Sequence, residues 1–325
     1  MIKWAAAGIL ALCINGPLWA APVTVRAISA FPANFEFTKQ FQNFVDRVNK
    51  EGEGIIKIQF VGGPEVIPAQ QQDTAIRNGV IDMQMGPATY YNGIVPEADA
   101  LYGANINPIE ARKNGALALL NKIWRKKLNA EFLAWQSGDI PFYIYLTKKP
   151  KMAPNGDIDL DGTQIRVTSA YREWITALGG SNVVLPATDV FTAMERGVVG
   201  GLVWPALGFT DLGVYKFTKY RVGPPVWQLD FVIMMNGDKW DKLPQAAKTA
   251  LERAAAEHEI DTQTRFGESR AKEEAILKKA GVQDIDVSNP QLHEKVAHDL
   301  VWQRLTDRDP TNVSALRELM YKTAQ

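Results

Sequence analysis

Cysteine is all but missing from this chain: Cys13 is the only one in 325 residues. It lies in an apolar N-terminal run that is expected to be removed, so the remaining protein would carry no thiol. That excludes disulfides, thiolate metal sites and a cysteine nucleophile. Histidine is nearly as scarce. His293 and His298 in "HEKVAH" are five positions apart, which turns the second about 140° from the first on a helix and denies them the i, i+4 pairing of a zinc site. His258 stands alone, so no metal site and no cofactor are expected. A charge of one sign is missing too. Lys plus Arg and Asp plus Glu both total 36, leaving no overall field to draw the chain to nucleic acid or an anionic membrane. There is no Gly-x-Ser-x-Gly elbow, no Gly-x-x-x-x-Gly-Lys phosphate loop and no Gly-x-Gly-x-x-Gly fingerprint, which removes the usual positive grounds for proposing an enzyme.

What is present is enough apolar material, 46% of the residues, to bury a full core in two lobes. The N-terminus reads as a secretory signal over residues 1–20, with Lys3 as the positive region, an apolar stretch over 4–14, and Ala20 as the small residue before a cut. The apolar stretch is too short to span a bilayer. A lipoprotein signal needs a small residue before its cysteine, and Leu12 stands there. The mature, exported protein is therefore expected to begin near Ala21 and not to span the membrane.

Hydrophobic period organises the rest. "PVTVRAI" alternates as a strand. Phe37, Phe41, Phe44, Val45 and Val48 then recur at helical spacing, and "GIIKIQFVGG", a helix over "IPAQQQDTAIRNG" and the strand "VIDMQMG" follow. Strand, helix, strand, helix, strand argues for an α/β lobe with a mostly parallel sheet. A polar, proline-bearing connector over residues 148–156 leads to a second such unit: "TQIRV", a helix over 170–178, "NVVLP", a helix over 187–196, and "GLVW". The apolar run "WQLDFVIMM" reads as a strand long enough to return from one lobe to the other. From 244 to 280 the composition turns to Ala, Glu, Lys and Gln, predicting a helix of roughly 55 Å that could brace both lobes, stopped by Gly281 and able to bend at Gly267. Two shorter helices, over 290–305 and 313–322, finish the chain. The lobes are placed at residues 21–145, completed by 232–265, and 146–231, completed by 266–325.

Two features invite a chemical reading. "DIDLDG" has the opening oxygens of a calcium loop at Asp157, Asp159 and Asp161, but the twelfth position is Thr168 and the stretch between reads as a strand, so a polar turn is the reading adopted. Arg166 in "QIRVTS" is a cation among apolar residues. By itself it could be held by a salt bridge to Asp161 or Glu173. Trp204 lies at a strand end directly before Pro205, where ligand crevices of α/β lobes open.

The ordered series "DLDG", "QIRV", "ALGG", "PATDVFTAM" and "RGVVGGLVWP", preceded by "GIIKIQFVGGPEVIPAQQQDTAIRNGVIDMQMG", resembles the solute-binding proteins of tripartite ATP-independent periplasmic (TRAP) transporters, of the type named for C4-dicarboxylate uptake. The resemblance covers most of the mature chain. It implies an α/β, two-lobed periplasmic binding protein fold, each lobe a sheet flanked by helices, closing on an organic acid. It also implies the small and large membrane subunits of the transporter as partners, and Arg166 as the residue pairing with the ligand carboxylate. The guanidinium suits that role because its planar fork meets both carboxylate oxygens.

The departures from the family pattern concern the same cleft. Trp204 stands where an asparagine is frequent, Val203 where an acid is, Ala187 where an aromatic is, and Tyr143 near a frequent second arginine. Polar groups are lost and apolar surface is gained, so the expected ligand is an acid with one principal carboxylate and an apolar or aromatic body. A compact dicarboxylate or 2-oxo acid is the alternative. Phe31, Glu65, Tyr90 and Gln228 are further lining candidates. An enzyme acting on an organic acid would need a poised acid beside Arg166, for which Glu65 or Asp230 could be named.

Overall fold

The computed structural model describes residues 21–322. The expected signal over 1–20, with Cys13 and the cut near Ala20, lies outside the described residues. Among the described residues, thirteen strands form two main sheets and one small two-stranded sheet. In chain order they are β1 (Val23–Ser29), β2 (Ile56–Gly62), β3 (Met83–Pro87), β4 (Ala130–Trp135), β5 (Phe142–Leu146), β6 (Lys151–Met152), β7 (Ile158–Asp159), β8 (Gln164–Val167), β9 (Ser181–Val184), β10 (Gly201–Pro205), β11 (Tyr220–Val226), β12 (Phe231–Asn236) and β13 (Gln283–Asp286).

The first main sheet has the order β2-β1-β3-β12-β4 and the second β13-β11-β5-β10-β8-β9. The parallel sheet expected for each lobe is present only in part. β1 runs parallel to β2 and β3, but β12 is antiparallel to both β3 and β4. In the second sheet β8 is parallel to β9 and β10, while β5 is antiparallel to β10 and β11. Each antiparallel insertion comes from a strand that has just crossed between lobes. β5 belongs to the second sheet, so the first crossing precedes Phe142 and does not fall at residue 145.

The return crossing corrects the reading of "WQLDFVIMM" as one long strand. β12 starts only at Phe231, and Trp227 has a left-handed φ of 56°. The Leu229 N–H donates to Ile140 O at 2.8 Å, and Gln228 Oε1 accepts from Asp139 N at 3.0 Å. The two crossings thus hydrogen-bond to each other and form a hinge. Unbroken apolarity cannot separate a sheet strand from a buried hinge segment. β11 escapes a reading by pattern for a different reason: it contains Gly223, Pro224 and Pro225, residues that argue against a strand. Its pairing with β5 is interrupted at that point, between Val222 and Val226.

The helix Glu36–Glu51 buries Phe37, Phe41, Phe44, Val45 and Val48, the stripe set by its spacing. The long helix runs Gln245–Lys279, 35 residues, and Gly281 follows in the left-handed conformation, φ 78°. Arg47 of the helix Glu36–Glu51 pairs with its Glu257 at 2.6 Å in the first lobe. Further along, Glu273 accepts from the N–H groups of Gly208 and Thr210, at 2.8 and 2.7 Å, in the second. It therefore braces both lobes, as its length predicts. The helix Pro290–Arg308 also touches both. The last helix, Val313–Met320, buries Leu316 and Met320 in the first lobe's core beside the helix Ala116–Leu128, so the tail does not all belong to the second lobe.

Candidate functional site

The carboxyl ends of β1 and β3 from one lobe and of β8 and β10 from the other open on the same crevice, the position where ligands bind in open α/β sheets. Alternation along β8 sends Ile165 and Val167 to one face and Arg166 to the other. Arg166 is 1% exposed. Its Nε and Nη2 both donate to Leu185 O, at 3.0 and 2.8 Å, and Nη1 donates to the Tyr171 hydroxyl at 2.9 Å. The side edge of the guanidinium is thereby pinned to the end of β9, and its remaining donors point away from that edge. Trp204 on the neighbouring β10 lies under the guanidinium, 5.3 Å from charge centre to ring centroid, a distance at which cation and ring attract.

No carboxylate reaches Arg166 among the described residues. Neither partner that a structural salt bridge would require reaches it: Glu173 pairs with Arg304 at 2.8 Å, and Asp161 is exposed in the turn before β8. A buried arginine normally has an anion, because removing a guanidinium from water without one is costly.

Around it lies a cavity with about 370 Å³ of space free of atoms, its open mouth included. The first lobe contributes Phe31, Thr89, Tyr90, Tyr102, Asp230 and Phe231; the second contributes Phe142, Arg166, Thr168, Tyr171, Trp204 and Pro205. Phe31 stacks on Phe231 at 5.1 Å, and Tyr102 meets Phe142 edge-on at 5.0 Å. The walls are mainly aromatic, and the polar groups are few.

Those polar groups are buried, and burial sets their chemistry. Desolvation pushes the Tyr90 hydroxyl up to about 12, although the nearby Arg166 pulls the other way. Desolvation likewise raises the Asp230 carboxyl to about 6, against the Thr89 hydrogen bonds that favour its ionised form. The Tyr102 hydroxyl and the Trp204 indole N–H are buried without a hydrogen-bond partner. Two orphaned polar atoms in the lining of one cavity, one from each lobe, fit a site built for a ligand with polar atoms of its own.

Of the residues nominated from sequence, Arg166, Trp204, Phe31 and Tyr90 come together in this cavity. Glu65 and Ala187 face each other across an adjoining recess between the lobes, which Tyr90 and Phe31 also border. Glu65 additionally closes its own turn, accepting the Gly63 N–H at 2.6 Å. Tyr143 and Gln228 are elsewhere. Tyr143 is on the opposite face of β5 from Phe142, with the Arg221 guanidinium 4.6 Å above its ring. The strand is the right one but the face is not, since a one-residue step reverses it. Gln228 lies in the hinge, its Nε2 donating to Ile106 O at 2.8 Å. Tyr102, Tyr171 and Thr89 carry no signal in the sequence, because they lie on short helical turns that periodicity does not resolve. Asp230, named only as the acid of an enzyme reading, is in the wall; its signal is a lone acid in an apolar run.

No group of three or more His, Cys, Asp or Glu side chains able to hold a metal ion occurs among the described residues. In "DIDLDG", Asp157 is buried against His293, Oδ1 to Nδ1 at 2.7 Å, and Asp159 caps the turn. His298 faces Gly103 O instead, at 3.3 Å.

Residues 29–306 match the family DctP, described as bacterial extracellular solute-binding protein, family 7. The chain belongs to this family. A "Solute-binding protein" of Albidiferax ferrireducens is 25% identical over 280 residues, covering 81% of this chain and 79% of that protein. The C4-dicarboxylate-binding periplasmic protein DctP of Rhodobacter capsulatus is 22% identical over 309 residues, covering 91% and 88%. Among solved structures, a TRAP transporter solute-binding protein of Bordetella bronchiseptica superposes with a TM-score of 0.80 at 20% identity, covering 93% of this chain and 92% of that one. That crystal is a mixed-occupancy dimer, one active site holding copurified calcium and picolinate and the other apo. The two sheets flanked by helices and the long helix of this chain thus match the fold of TRAP transporter solute-binding proteins. No helix among the described residues is long and apolar enough to cross a membrane.

Proposed function

We propose that this family member captures an organic acid between its lobes, with Arg166 holding the carboxylate and the aromatic walls enclosing an apolar or aromatic body. It would act in the periplasm, after removal of residues 1–20, and deliver the solute to the small and large membrane subunits of a TRAP transporter without chemical turnover. The observation that carries the reading is Arg166 itself: a cation 1% exposed that faces the cavity with donors to spare and has no anion among the described residues. A carboxylate supplies the missing charge and matches the fork. The kinds of solute named for relatives point the same way: C4-dicarboxylate for the Rhodobacter protein, picolinate for the Bordetella bronchiseptica one, and pyroglutamic acid for a Bordetella pertussis receptor. Closure is a population shift, because a ligand touching both lobes favours the state in which both can reach it.

A thermal-shift screen of the purified protein against aromatic monocarboxylates, 2-oxo acids and dicarboxylates tests this, since binding to the folded state alone raises the melting temperature. At least one carboxylate is expected to raise it, and Arg166→Ala to abolish the shift. If no carboxylate shifts the wild type, the reading is wrong. Conversion of a bound acid to another compound, followed by chromatography, would replace it with an enzyme.

A further inference from the structure

The cavity has a second charged wall, facing the arginine from the other lobe. Asp230 is 2% exposed and stands where the returning crossing enters β12. Its Oδ2 accepts the Thr89 N–H at 2.7 Å, and its backbone carbonyl accepts the Ala88 N–H at 2.9 Å. These bonds anchor the carboxyl without filling it, for a carboxylate has about four acceptor positions. No Lys, Arg or His pairs with it among the described residues, and Tyr90 lies within electrostatic reach of both it and Arg166. The cavity is thus polarised, cationic on the second lobe and acceptor-rich on the first.

We propose that Asp230 receives a hydroxyl or N–H group of the solute, so that the ligand is an acid with one carboxylate on Arg166 and a hydrogen-bond donor, in place of a second carboxylate, at its other end. This rests on the reading that Arg166 holds a carboxylate. Asp230 titrates near 6, so at neutral pH it is mainly ionised and purely an acceptor. Around it are Tyr90, Tyr91, Tyr102 and Asp99, none of them a cation. A second carboxylate placed there would meet a like charge in a water-poor site, which costs far more than at a surface. A donor there would make a charge-assisted bond, the stronger kind. Tyr102, with its unpartnered hydroxyl in the same wall, can accept from or donate to the same group.

Two matched series test the assignment by calorimetry at pH 7.5: benzoate, 3-hydroxybenzoate and isophthalate, and butyrate, 4-hydroxybutyrate and succinate. In at least one series the hydroxy acid is expected to bind about tenfold or more tighter than both its unsubstituted and its dicarboxylate counterparts. In Asp230→Asn, which keeps the shape and removes the charge, that preference should shrink and the dicarboxylate should gain. Equal affinities for hydroxylated and unsubstituted acids, or tighter binding of the dicarboxylate by the wild type, would overturn the assignment and leave the role of Arg166 standing. Absence of binding by all six would count against both. If Asp230→Asn does not fold, as judged by circular dichroism, the wild-type ranking decides alone.

Discussion

Two of the buried arginines in this molecule have surroundings that differ in kind. Arg304, on the helix Pro290–Arg308, is 8% exposed. Its Nε donates to Asp99 Oδ2 at 2.7 Å, and its Nη1 to Glu173 Oε2 and Ala170 O at 2.8 and 2.6 Å. Asp99 belongs to the first lobe and Glu173 to the second, so this arginine ties the lobes together with charges the chain itself supplies. Arg166 is more deeply buried, yet among the described residues it meets a carbonyl and hydroxyls and no carboxylate. On the proposed function the difference separates a structural cation, neutralised in the fold, from one that is held in place by neutral acceptors and would be neutralised by the solute.

The largest effect expected from breaking this comparison is at Arg304. Arg304→Met leaves Asp99 buried and unpaired, which should cost about 3–5 kcal/mol in urea unfolding. Arg166→Met should leave ligand-free stability within about 1 kcal/mol of wild type, since it strands no carboxylate, while lowering affinity for a bound carboxylate at least about a hundredfold. Comparable destabilisation by both substitutions would erase the distinction.

A third buried charge sharpens it. Glu273 bridges the long helix to the second lobe with no cation paired to it among the described residues, and burial raises its carboxyl to about 7. A carboxyl raised above its usual 4.5 binds its proton more readily in the folded state. Its contribution is then fully present below about pH 4.5 and lost as pH rises through about 7. The stability of wild type relative to Glu273→Gln should therefore improve by up to about 3 kcal/mol between pH 8 and pH 5. Taking the difference removes the opposite trend of His258, which burial holds down at about 3 in both proteins. A pH-independent difference would show that Glu273 is not the titrating group. The smallest effect is at Trp204. Replacement by Asn, which removes the ring under Arg166, should weaken aromatic acids about tenfold and small dicarboxylates less; the reverse order would argue against an apolar body.

Much of the site is legible in the order of the amino acids, and the reasons are specific. Arg166 stands out because a cation in an apolar strand demands an explanation, and Trp204 because it sits at a strand end. Tyr143 and Gln228 show where such reading stops: one lies on the wrong face of the right strand, and the other on a hinge that has the composition of a strand. Asp230 carries the same lesson in reverse. Its place in the cavity depends on the hinge that delays β12 until Phe231, which no local pattern encodes.

The sequence alone determined the alternation of strands and helices, the long helix and its end at Gly281, and the family motif series. All of these follow from local spacing and composition, which act over a few residues at a time. Only the tertiary structure decided which strands cross between the sheets, which face of β5 meets the cavity, and which buried charges find partners. Those outcomes depend on contacts between residues far apart in the chain, such as Arg304 with Asp99 and Glu173. A charge with no counter-ion among the described residues, as Arg166 is, can be recognised only once every other charge has been placed.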